Sequence, residues 1–80
     1  MQDTEHINIT LILKNGHQVD LRIPIFISAA ALVHQLESIF HLEEKEGMKQ
    51  IKVRTKGLVL TENQQLYDYP ITDGDIIEII

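Results

Sequence analysis

His6-Ile7-Asn8-Ile9-Thr10-Leu11-Ile12-Leu13-Lys14, then Asn15-Gly16, then His17-Gln18-Val19-Asp20-Leu21-Arg22-Ile23-Pro24, is the stretch on which the fold turns. Apolar and polar residues alternate with period two on both sides of Asn15-Gly16, the pattern of half-buried strands. Ile7, Ile9, Leu11 and Leu13 point inward on the first strand and Val19, Leu21 and Ile23 on the second, which leaves Ile12 on the outward face. Asn and Gly both tolerate the positive φ that a tight turn demands, so the two runs form a hairpin. Pro24 has no N–H to give a ladder and closes the second strand.

Downstream the period changes. Ser28 suits a helix N-cap, and Ala29 to Ala31 favour helix at its start. Leu32, Val33, Leu36, Ile39 and Phe40 fall at helical spacing and form one apolar stripe, with His34, Gln35, Glu37 and Ser38 largely off it. The helix is expected to run to about His41, and Glu43-Glu44-Lys45-Glu46-Gly47 reads as a charged exit. Ile51 and Val53 alternate with Lys52 and Arg54 in a third strand. Thr55-Lys56-Gly57 is a turn, Leu58-Val59-Leu60 a short apolar strand, and Leu66 to Tyr69 a single helical turn before Pro70. Thr72-Asp73-Gly74-Asp75 is turn-rich, and Ile76 to Ile80 is a last strand with Ile77 and Ile79 inward. That strand is expected beside the first and parallel to it. Residues 1–5 read as a flexible N-terminal segment and residues 6–80 as one domain. The class is α+β, a mixed sheet with one helix packed across one face.

Bulk properties narrow the function. Eighty residues make one domain with one modest core. The chain has no Cys, which removes disulfides and thiolate chemistry. Seven basic against twelve acidic residues leave a charge of −5, which disfavours nucleic acid and anionic membrane surfaces as partners. No run approaches a transmembrane helix and the N-terminus lacks the form of a signal peptide, so a soluble, cytoplasmic protein is expected. The four histidines, His6, His17, His34 and His41, show no metal-site spacing. His34 and His41, two turns apart, could meet only as an adventitious pair. Asp73-Gly74-Asp75 lacks the further acids of a calcium loop, and no nucleophile–base set is laid out. The expectation is a protein without catalytic residues, cofactor or metal.

Leu60-Thr61-Glu62-Asn63-Gln64-Gln65-Leu66-Tyr67-Asp68-Tyr69-Pro70-Ile71 resembles the corresponding segment of ubiquitin-like domains, whose β-grasp fold the element order also matches. Gln50 to Gly57, with Asp68-Tyr69 and Thr72-Asp73-Gly74-Asp75-Ile76, is similar to the EsaB/YukD family of ubiquitin-like proteins encoded with type VII secretion systems of Gram-positive bacteria. The resemblance implies an accessory of a machine that exports WXG-type proteins, with a cytoplasmic part of a membrane component as partner. A conjugated modifier or sulfur carrier is the alternative. It is disfavoured because the chain ends at Glu78-Ile79-Ile80 without Gly-Gly. A self-associating module, monomer or weak dimer in solution, is the third reading.

By that resemblance, the positions of ubiquitin's apolar recognition patch are held here by Lys14, Arg54, Ile80 and Glu78, so receptors of ubiquitin would have to bury charge. The same open face carries Ile12, Ile76 and Ile80 among Thr10, Arg22, Lys52, Arg54 and Glu78. Apolar anchors ringed by charge are the form of a protein interface. Ile12, Lys14, Arg54, Ile76, Glu78 and Ile80 are therefore the candidate partner-binding residues.

Overall fold

A computed structural model describes residues 6–42 and 49–80. The expected N-terminal segment 1–5 and the whole of the expected charged exit, 43–47, lie outside the described residues. Strands β1 (His6–Ile12) and β2 (Gln18–Pro24) form the hairpin, followed by helix α1 (Ala29–Ile39), β3 (Gln50–Val53), β4 (Leu58–Thr61), a 3-10 turn (Leu66–Asp68) and β5 (Ile76–Ile79). The sheet order is β2-β1-β5-β3-β4. β5 lies parallel to β1, as expected from sequence, and antiparallel to β3 on its other side.

The hairpin closes on Leu13, whose N–H donates to the His17 carbonyl at 2.8 Å, so the loop holds three residues, Lys14 to Gly16. Gly16 takes the left-handed conformation, φ 88°. Asn15 works through its side chain instead, Oδ1 accepting the His17 N–H at 3.0 Å.

The start of α1 is fully accounted for. Ala29 N–H donates to the Gln64 carbonyl and Ala30 N–H to that of Glu62. Ala31 N–H donates to Ser28 Oγ at 3.2 Å and Leu32 N–H to the Ser28 carbonyl. A helix leaves its first N–H groups without internal partners; here one loop and one cap satisfy them and fix the helix to the chain after β4. The helix ends sooner than His41, at Ile39. His41 takes φ 54° and Leu42 N–H returns to the Glu37 carbonyl at 2.9 Å, a Schellman-type stop built on His where Gly is usual.

Two helix residues depart from the expected stripe. Ile39 is 63% exposed, and Glu37 is only 6% exposed. At about 100° per residue the buried arc is centred on Ala29, Val33, Leu36 and Phe40, and Ile39 falls just past one edge of it. Glu37 falls at the other edge, where Lys49 closes over it, Nζ lying 3.0 and 3.1 Å from its two carboxylate oxygens. Between sheet and helix, Ile9, Leu11, Ile23, Ile51, Val53, Leu60 and Ile77 pack against Leu32, Val33 and Leu36, with Leu66 and Ile71 closing the end. Burial of such side chains contributes about 1.5–3 kcal/mol each.

Candidate functional surface

Period two sends β1, β5 and β3 side chains alternately to the helix and to the other face. Leu11, Ile77 and Val53 are buried under α1, so Thr10, Ile12, Ile76, Glu78 and Lys52 share the open face. Register arranges them in rows. Thr10 stands opposite Asp20 on one side and Ile76 on the other. Ile12 stands opposite Gln18 and Glu78, Glu78 opposite Lys52, and Lys52 opposite Val59. Arg54 N–H donates to the Ile76 carbonyl at 2.8 Å and Ile80 N–H to that of Gln50 at 3.2 Å, extending the face by one residue on each of β3 and β5.

The three isoleucines therefore do not form an unbroken patch. Glu78 lies between Ile76 and Ile80 along β5 and directly beside Ile12. Ile12 is diagonal to the other two, at the spacing where long side chains still meet. Ile12 and Ile76 are half-buried, and Ile80 is exposed. Arg54 Nε comes to 3.8 Å from Glu78 Oε1 with half its own side chain in water, a contact that solvent weakens. Lys14 sits exposed at the hairpin tip, beyond the strands.

Two exposed apolar features escaped the sequence reading. Val59, 47% exposed, adds a fourth apolar residue to the open face. The alternation Leu58-Val59-Leu60, read with Leu60 inward, was the available signal. Phe26 and Tyr67 meet with ring centroids 5.1 Å apart and planes tilted by 44°, while both stay more than half exposed. They meet because Tyr67 N–H donates to the Ile25 carbonyl, a contact between segments far apart in sequence.

The polar clusters hold turns together. Asp75, 5% exposed, accepts from Lys56 Nζ at 2.6 Å, Thr55 Oγ1 at 2.7 Å and Thr72 N–H at 2.9 Å. Burial pushes its carboxyl up, but these donors and the Lys56 charge together hold it below the ordinary value of 3.8. Gln64 Nε2 donates to Tyr69 Oη at 2.6 Å. A depression of about 330 Å³ between Asn8, Thr10, Asp20, Arg22 and Gly74 is open to solvent. Among the described residues no group of three or more His, Asp or Glu could hold a metal ion, and no helix is long and apolar enough to cross a membrane.

The family model described as YukD, of the WXG100 protein secretion system (Wss), matches residues 6–79. The type VII secretion system accessory factor EsaB of Staphylococcus aureus, strains Newman and COL among others, is 32% identical over 78 residues, 95% of this chain and 98% of the relative. A chain from the structure "Molecular Mimicry of SUMO promotes DNA repair" superposes with a TM-score of 0.76 at 16% identity, covering 99% of this chain and 95% of that one. A ubiquitin-like domain from Arabidopsis thaliana gives 0.73 at 15% identity, covering 100% and 81%. A chain of the MycP5-free ESX-5 inner membrane complex gives 0.75 at 15% identity, covering 95% of this chain and 21% of that one. The fold is thus the ubiquitin-like β-grasp.

Proposed function

Starting from a chain that belongs to the YukD family of the WXG100 protein secretion system, we propose that it is a non-enzymatic, cytoplasmic adaptor of a type VII secretion machine. It acts by docking the open face of its sheet on a cytoplasmic part of a membrane component. The similarity to EsaB, an accessory factor, over nearly the full length of both chains is the observation that carries this reading. The ESX-5 inner membrane complex adds support, because one of its chains includes a domain of this fold as about a fifth of its length. A domain that serves within the membrane machine in one system has a natural counterpart in a separate chain that binds it in another.

The docking surface has Ile12, Ile76 and Ile80 as anchors, Val59 as a fourth, and Lys14, Arg54 and Glu78 setting specificity. Central apolar residues contribute most of the affinity in such interfaces, and charges among them select the partner. Glu78 sits inside the triangle rather than at its rim, with Arg54 Nε 3.8 Å away as its cation. A partner that covers it strengthens that loose pair or supplies a further donor, because an all-apolar cover would desolvate the carboxylate.

The test is calorimetric titration of this protein with the purified cytoplasmic domain of the system's membrane component. Binding that disappears in Ile76→Asp/Ile80→Asp, with the circular dichroism of the fold retained, supports the reading. Undiminished binding by that variant refutes the surface, and no binding by the unmodified protein refutes the partner.

A further inference from the structure

Away from the docking anchors, the sheet ends among the described residues at the outer edge of β2. The hairpin closes with Leu13 N–H donating to the His17 carbonyl. Stepping along the register by two makes Leu11–Val19, Ile9–Leu21 and Ile7–Ile23 the pairs that exchange hydrogen bonds. Val19, Leu21 and Ile23 therefore direct their backbone groups to β1, while Gln18, Asp20 and Arg22 direct theirs outward. Pro24 presents a carbonyl alone.

We infer that this edge pairs antiparallel with β2 of a second copy, about a two-fold axis through Leu21. The strand itself selects the register. Leu21 is the middle residue of Gln18–Pro24, so centring there is the arrangement that pairs the strand along its whole length. It also sets Asp20 opposite Arg22 of the second copy, twice, on one face. On the other face it sets Leu21 opposite Leu21 and Val19 opposite Ile23. Slipping the centre by one residue places Asp20 opposite Asp20 or Arg22 opposite Arg22, and like charges directly opposite destabilise a pair. Charged side chains and proline commonly protect edge strands from association. Here the two charges repel in the slipped registers and attract in the centred one, so they specify a register.

The outward backbone groups fit the same geometry. Asp20 and Arg22 of the second copy exchange two bonds, and Gln18 N–H meets the Pro24 carbonyl, which is all that Pro24 can offer. Strand pairing of this extent buries well under about 1,000 Å² and belongs to the weak, transient class. The two-fold axis stands perpendicular to the sheet, so both open faces point the same way. The dimer would present the docking surface twice, which multiplies avidity for an oligomeric partner.

Sedimentation velocity from about 10 µM to about 1 mM, the range in which a weak association of this class shows, is the experiment. The unmodified protein should shift from monomer towards twice its mass. Asp20→Arg alone and Arg22→Asp alone should each stay monomeric at the top concentration, since one makes both facing charged pairs basic and the other makes both acidic. An equimolar mixture of the two should regain the dimer, because each charge then meets its opposite. Circular dichroism checks that both variants fold. A monomer throughout overturns the inference, as does a dimer indifferent to the single changes or a mixture that fails to associate.

Discussion

Lys56 Nζ lies 2.6 Å from Asp75 Oδ2, joining the turn after β3 to the turn before β5 across 19 residues of sequence. The carboxylate is nearly buried and the ammonium about a third exposed. Thr55 Oγ1 and the Thr72 N–H also donate to it. The contact holds in place the two turns from which Arg54 and Ile76 enter the open face.

Because the folded Asp75 carboxyl is held below its ordinary value of 3.8, the charged form is the one the fold favours. Its contribution is present above that ordinary value and is lost as pH falls through the depressed folded value. Urea unfolding from pH 7 to about 2.5 should show stability declining below about pH 4. In Asp75→Asn that part of the decline should be absent. The same variant should be less stable at pH 7 by about 1–3 kcal/mol, because the geometry remains and the charge pairing does not.

Glu37 and Lys49 pair at the flank of the helix, the carboxylate 6% and the ammonium 23% exposed. Lys49→Met should cost about 3 kcal/mol, since it strips a buried carboxylate of its cation. The double variant Glu37→Leu/Lys49→Met should recover most of that loss. Chemical denaturation of the three proteins measures the coupling; a double variant as unstable as the single one would sink the account.

His41, at φ 54°, occupies the position that helix stops usually give to glycine. His41→Gly should raise stability by about 0.5–1 kcal/mol, relief of the left-handed strain exceeding the entropy that glycine adds to the unfolded chain. A rise in the melting temperature checks it.

Ile39 and Leu36 lie three residues apart on one helix, yet Ile39 is 63% and Leu36 2% exposed. Ile39→Gln should change stability by no more than about 0.5 kcal/mol, while Leu36→Ala should cost about 2–5 kcal/mol. Thermal unfolding of both variants separates them.

Val59→Asp extends the docking test to a residue found only on the structure. It should weaken binding to the membrane component by at least tenfold while leaving the fold intact. The side chain is exposed opposite Lys52, so the new carboxylate stays in water until a partner covers it.

Much of this molecule was legible in its residues because the signals are local. The alternation on either side of Asn15-Gly16 set the hairpin. Ser28 marked the start of the helix, and the inward Ile77 oriented the last strand. The open-face composition followed, since every residue one step from a buried one must point away from it. Tertiary structure decided what depends on distant segments meeting. A carboxylate on the helix flank is buried because Lys49, twelve residues further along the chain, meets and neutralises it. Ile39 is left in water because the buried arc of the helix is centred elsewhere, a matter of packing angle rather than spacing. Glu78 stands beside Ile12 because β5 lies between β1 and β3, parallel to the first and antiparallel to the second. Period two tells each side chain which face it takes; only the assembled sheet tells it which neighbours it has there.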